Sequence, residues 1–132
     1  MMDQVTAANP LDNYRGKNRL IIASVPLKDD REKLAALLIS HHQKLDDRNI
    51  LVLNVSLGSV QISGTVRLDP KQTNILRQKF KVNPLERSPL FILIGKDSGE
   101  KARQQGVLNL DYILDLIDEM PMRREEIRNS NR

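Results

Sequence analysis

His41 and His42 are adjacent, with Asp46 four residues beyond the second, and this trio comes nearest in the sequence to a metal site. Adjacent helical residues point about 100° apart, so the two imidazoles cannot easily share one ion. His42 and Asp46 have i, i+4 spacing but would need a third ligand from elsewhere, and no HExxH pattern accompanies them. Ser24, Ser59 and Ser63 place hydroxyls near turns, yet the chain has no G-x-S-x-G elbow and its two histidines fall mid-helix, which argues against hydrolase chemistry. The stretch LGSVQISG has two glycines without the spacing or the lysine of a phosphate loop. There is no cysteine. That excludes disulfides, thiolate nucleophiles, thiolate metal sites and cysteine-based redox chemistry, and it leaves the redox state of the compartment open. No catalytic, cofactor-binding or metal-binding residue is assigned.

The most informative polar constellation is Arg123-Arg124-Glu125-Glu126. Asp118 and Glu119 precede it at the end of a helical pattern, where the helix dipole disfavours negative charge. The two arginines can neutralise them while Met120 and Met122 pack beneath, forming a C-terminal clasp; the other reading is a contact site for a partner. Arg15 and Lys17 offer the same choice at the other end of the chain.

The elements that must position these residues follow from length and pattern. A chain of 132 residues with 39% apolar and 29% charged content is enough for one compact domain and does not have a disordered composition. Its net charge is +4. The cations gather at Arg15, Lys17 and Arg19, at Arg77, Lys79, Lys81 and Arg87, and at Arg123, Arg124, Arg128 and Arg132. With two Phe and two Tyr for stacking and no RNP, KH or helix-turn-helix pattern, non-specific electrostatic attraction is the most this supports, which argues against nucleic acid as partner. No apolar run approaches the ~20 residues of a membrane span, and the start lacks a secretory core. The expected location is cytoplasmic if the sequence is full length, and periplasmic or secreted if a signal peptide has been removed.

Residues 1–13 are expected to be a flexible lead-in, 14–122 a single domain and 123–132 a polar tail that frays. Leu20 to Val25 is a continuous apolar run, as in a strand covered on both faces. Asp29 and Asp30 supply capping acceptors and favourable charge for a helix of about four turns, with Leu34, Leu37, Leu38, His41 and Leu45 on one face. Ile50 to Val55 is a second buried strand, and this strand, helix, strand order implies parallel pairing through a right-handed crossover. In VQISGTVRL, Val60, Ile62, Val66 and Leu68 alternate around Ser63-Gly64 as in a hairpin. Asp69-Pro70 caps a short helix carrying Ile75, Leu76 and Phe80. LFILIG, residues 90–95, is a third apolar strand, and KARQQ returns antiparallel as a polar edge. Asn109 caps a last helix with Leu110, Ile113, Leu114, Ile117 and Met120, ended by Pro121.

The resulting order, β-α-β, inserted hairpin, α, β-β-α, predicts an α/β three-layer sandwich on a mixed sheet. The stretch ILRQKFKVNPLERSPLFILIGKDSGE resembles the thioredoxin superfamily, with a helix ending in an aromatic residue and a valine, Phe80 and Val82, before a loop proline and a strand. The resemblance implies a thioredoxin-like fold and makes Pro89, in Ser88-Pro89, a candidate cis-proline. Two longer blocks, PLDNYRGKNRLIIASVP and LIGKDSGEKARQQGVLNLDYILDLIDEMPMRREEIR, resemble the stand-alone prokaryotic members of the P-DUDES group. That domain-of-unknown-function family has extracellular eukaryotic relatives such as the sushi-repeat-containing proteins and Equarin. It implies the same fold and no established catalytic residue.

In a thioredoxin-like protein the reactive cysteine stands where RLIIAS gives way to its helix, and here VPLKDD fills that place. Two aspartates there would oppose a thiolate. The expected function is a non-catalytic, cysteine-less interaction or structural module with a protein partner and no cofactor. The candidate contacts are Ser63 and Gly64, where a partner strand could add, and the basic ends at Arg15, Lys17, Arg123 and Arg124. The alternative is a peroxiredoxin-related enzyme working through a bound cofactor or non-thiol residues.

Overall fold

A computed structural model of the chain describes residues 9–58 and 60–130; of the serines considered above, Ser59 lies outside them. Five strands form one mixed sheet. They are β1 (Arg19–Ser24), β2 (Ile50–Asn54), β3 (Val66–Arg67), β4 (Leu90–Ile94) and β5 (Glu100–Gln105), in the spatial order β3-β2-β1-β4-β5. β1 pairs parallel with β2 and antiparallel with β4, β2 pairs parallel with β3, and β4 pairs antiparallel with β5. The helices are α1 (Lys28–Ser40), α2 (His42–Asp47), α3 (Pro70–Lys79), α4 (Leu110–Asp118) and α5 (Pro121–Ser130), with a 3-10 turn at Pro10–Asn13.

The apolar runs explain the three layers. β1 and β4 are buried along their whole length, so alternate residues feed two separate cores. Ile21, Ala23, Val52, Phe91 and Leu93 face α1, α2 and α4 through Leu34, Leu38, Leu45, Ile113 and Ile117. Leu20, Ile22, Leu53, Ile92 and Ile94 face α3 and the 3-10 turn through Leu11, Leu76 and Phe80. A strand with no polar face cannot sit at a surface, and continuous rather than alternating hydrophobicity is what made this legible. β5, by contrast, is polar and lies at the sheet edge, as its composition requires.

Several expectations are corrected. The predicted four-turn helix divides at His41, whose backbone (φ −113°, ψ 15°) leaves the helical region, with Ser40 Oγ, His41 Nδ1 and His41 N all at hydrogen-bonding distance from the Leu37 carbonyl oxygen. The N-cap of α1 is Leu27, without a side-chain cap bond, so Asp29 and Asp30 act in the first turn by charge rather than as caps. Residues 1–8 of the expected lead-in lie outside the described residues; within 9–13 a 3-10 turn forms, Asn9 Oδ1 accepts from Leu11 N at 3.0 Å and Leu11 is fully buried. Beyond residue 122 the chain does not fray but continues as α5 to Ser130. The Ser88-Pro89 peptide is trans, there being no cis bond among the described residues. Trans is the lower-energy isomer of an X–Pro bond by about 0.5–1 kcal/mol. In this isomer the Pro89 carbonyl accepts from Gly106 N at 2.7 Å.

The hairpin does not form, although its turn does. Ile62 O accepts from Thr65 N at 3.2 Å and from Thr65 Oγ1 at 2.7 Å, with Gly64 in the left-handed region at φ 88°. The residues after the turn then pair with the free edge of β2, Leu53 with Val66 and Asn54 with Arg67. Pairing there satisfies an existing sheet edge, whereas an isolated two-stranded hairpin is marginal in water. A Cβ at Gly64 would stand 3.2 Å from Leu38 Cβ. Gly64→Ala should therefore lower stability by about 1–2 kcal/mol through left-handed strain and crowding of Leu38. Urea unfolding should show a reduced midpoint at unchanged slope, and a variant as stable as the parent would refute this account of the turn.

Candidate functional site

The sheet has two ends with different chemistry. At the end where β1 begins and β4 finishes, charged side chains from five segments meet. Arg19 opens β1 and is 1% exposed. Its NH1 and NH2 donate to Glu126 Oε1 and Oε2 of α5 at 3.1 and 3.3 Å, and NH1 also donates to the Arg48 carbonyl at 2.9 Å. Lys96, just past β4, donates to Glu126 Oε2 at 2.6 Å and to Asn49 Oδ1 at 3.0 Å. Arg123, also buried, donates from Nε to Asp118 Oδ1 at 3.1 Å and from NH2 to Asp47 Oδ2 at 2.6 Å. Arg48 completes the group with two bonds to Asp118, at 3.1 and 2.8 Å.

Burial works against ionisation of Asp118 and Glu126, but the hydrogen bonds they accept outweigh it. Those from Arg48 and Arg123 hold the Asp118 carboxyl below its usual range, and those from Lys96 and Arg19 do the same for Glu126. Burial likewise lowers the Arg123 pKa, yet its bonds to Asp47 and Asp118 leave it raised. This is the clasp in a tighter form than the sequence suggested. Arg123 reaches Asp118 as expected, and Arg124 pairs with Glu119 at 3.0 Å on the surface. Met120 packs against the core, whereas Met122 is 50% exposed. The pairing of Arg19 with Glu126 has no counterpart in the sequence analysis, because it spans 107 residues and no local spacing signals it.

The other end gathers the carboxyl termini of β1, β2 and β3. Here the backbone of the β1–α1 junction is closed by side chains. Val25 N donates to Ser56 Oγ at 2.8 Å, and Arg31 NH1 donates to the carbonyls of Val25 and Pro26 at 3.3 and 2.6 Å. Ser24 is buried, and no thiol or hydroxyl stands in the first turn of α1, which reads Lys28-Asp29-Asp30. Beside the junction, a cleft of about 550 Å³ opens between the ends of β2 and β3 and the head of α3, with Arg67 and Arg77 in its lining. Asp69 caps α3 through a capping box with Gln72, its Oδ1 accepting from Gln72 N at 2.7 Å.

The remaining candidates disperse. His41 Nδ1 lies 3.0 Å from Leu37 O and His42 Nδ1 lies 3.1 Å from Ile39 O, so one ring nitrogen of each is engaged locally. Ser63 and Gly64 are exposed in the turn. Arg15 Nε donates to Ser98 Oγ at 3.2 Å, and Lys17 is exposed. No helix among the described residues is long and apolar enough to cross a membrane.

This mixed sheet between two helical layers is a thioredoxin-like α/β fold. Residues 10–126 match the family described as Domain of unknown function (DUF4174), and the chain belongs to that family. Among solved structures it is similar to a Plasmodium yoelii thioredoxin peroxidase I, with a TM-score of 0.63 at 20% identity, covering 87% of this chain and 79% of that one. It is also similar to a reduced Plasmodium vivax 2-Cys peroxiredoxin, with a TM-score of 0.52 at 17% identity, covering 87% and 84%. At these identities the likeness establishes the fold. No curated protein matches the chain.

The ionic cluster sets a pH dependence. With folded pKa values below the unfolded ones of about 3.9 and 4.3, Asp118 and Glu126 contribute stability that is complete above those values. It is lost as pH falls through the lower folded pKa values. Urea unfolding should give constant stability from pH 7 to about 5 and a steep decline below about pH 4. Glu126→Ala, which strands Arg19 and Lys96, should cost about 2 kcal/mol after allowance for its partial exposure. Arg124→Ala should cost about 0.5 kcal/mol or less. Equal losses for the two variants would show that the buried cluster does not hold α5.

Proposed function

We propose that the protein is a non-catalytic, cysteine-less thioredoxin-like module whose work is to bind a protein partner. The observation that carries this is the closed β1–α1 junction: Ser56 accepts from the Val25 N–H and Arg31 donates to the carbonyls of Val25 and Pro26, so structural side chains satisfy the backbone at the place where a thioredoxin-like cysteine would stand. The scaffold is intact and the reactive position has become structure. Four exposed apolar side chains surround that same end of the sheet. Leu27 follows β1, Leu57 follows β2, Leu85 precedes β4, and Val107 follows β5, with exposures of 37%, 55%, 83% and 94%. On this reading these four side chains, which follow or precede strands at the same end of the sheet, supply the apolar contacts for a partner. The resemblance of the two long sequence blocks to the P-DUDES group, with its matrix-associated relatives, supports the same reading.

This places the contact face away from the basic ends. Arg123 is buried in the clasp and is not available to a partner without undocking α5. Ser63 and Gly64 remain exposed, but the strand that follows them is two residues long, which offers little edge for an added strand.

The test is retention of a discrete protein from source-cell fractions by the immobilised chain at moderate salt after nuclease treatment. The double variant Leu57→Asp with Val107→Asp should lose that protein while keeping its unfolding midpoint, because both side chains are solvated in the free chain. Retention undiminished by the double variant would reject this face. Saturable peroxide consumption by the purified protein would reject the non-catalytic reading in favour of the enzyme alternative.

A further inference from the structure

The excess positive charge of the chain is confined to one segment. Arg67, Lys71, Arg77, Lys79, Lys81 and Arg87 face only Asp69 and Glu86 between residues 67 and 87, so this stretch carries the entire net charge of +4 and the rest of the sequence is balanced. Elsewhere the arginines are largely paired: Arg19, Arg48, Arg103, Arg123, Arg124 and Arg128 all sit in ion pairs. None of the six cations of this segment makes an ion pair among the described residues.

Two of the six, Arg67 and Arg77, line the same cleft from different elements, β3 and α3. Arg77 is half-buried and donates one NH1 bond, to Val55 O at 2.9 Å, which fixes the guanidinium and leaves its other donors uncommitted among the described residues. Arg67 makes no hydrogen bond through its side chain among the described residues. The one carboxylate in the lining, Asp69, is engaged at the head of α3, so the cleft keeps a single net positive charge. Thr73 and Asn54 add polar groups to the wall. A volume of about 550 Å³ lies within the usual range for small-molecule sites, and the carboxyl ends of parallel strands are where open α/β sheets bind ligands.

We infer that this cleft is a binding site for a small molecule bearing a carboxylate or phosphate group, held between the guanidinium groups of Arg67 and Arg77. Planar guanidinium forks match the geometry of both oxyanions. A nucleic-acid strand fits less well, because Phe80 and Phe91 are buried and Tyr112 stands on α4, so the cleft offers no stacking platform. The site is independent of the protein-binding reading and does not need it.

The experiment is an NMR titration of the full chain with sodium acetate and, separately, sodium phosphate, each at ionic strength held constant with sodium chloride. The expected result is saturable shifts at the side-chain Nε–H of Arg67 and Arg77 and the amides of Gly58 and Thr73, for at least one anion, with a dissociation constant on the order of 1 mM. Arg67→Gln, at an exposed edge position that leaves the fold intact, should weaken binding by about fivefold or more. Arg77→Gln should do the same, and the double variant Lys79→Gln with Lys81→Gln should bind as the parent does. Shifts that rise linearly without saturation for both anions would overturn the assignment. So would shifts strongest at residues 79–87, or an Arg67→Gln variant that binds unchanged.

Discussion

The burial of Arg19 sets the arrangement of one whole end of the molecule. A guanidinium that is 1% exposed cannot be left without partners, because removing an ion from water costs several kcal/mol unless hydrogen bonds and an opposite charge replace the lost hydration. Here Glu126 supplies both oxygens and the Arg48 carbonyl supplies a third acceptor. Glu126 can do so only if α5 is docked. α5 itself is polar, and its one buried residue is another arginine. Charge pairing rather than apolar area therefore holds this helix, and the helix in turn closes the open start of β1.

The same cluster ties together segments that the sheet alone would leave apart. Asp47 is the last residue of α2, Arg48 belongs to the turn between α2 and β2, Lys96 to the turn after β4, Asp118 to the end of α4 and Arg123 to α5. Asp118 sits where the dipole of α4 disfavours a negative charge, and two arginines compensate for it. The two hydrophobic cores fix the layers. The ionic cluster fixes how the connections at one end meet.

With that end committed to holding the chain together, the opposite end is free to take contacts. There the junction that carries chemistry in a thiol-dependent thioredoxin-like protein is closed by Ser56 and Arg31, and around it lie exposed apolar residues and two arginines that make no ion pair among the described residues. The division is physical: buried charges must be satisfied internally, whereas exposed charges and apolar groups remain open to something else.

What the sequence by itself determined is the set of elements and the layers. Continuous apolar runs at residues 20–23, 50–53 and 90–94 indicate interior strands, the spacing of Leu110, Ile113, Leu114 and Ile117 indicates a helix with one buried face, and the lack of cysteine removed thiol chemistry outright. These are local signals, read over a handful of residues by period and composition. The tertiary structure decided that Val66 and Arg67 join β2 instead of folding back as a hairpin, that the polar tail is the helix α5, and that Arg19 meets Glu126. It also decided that Arg67 and Arg77 share a cleft. None of these has a local signature, because each depends on which free sheet edge or which opposite charge lies nearby in space, and pairing partners separated by tens of residues leave no fixed spacing in the chain.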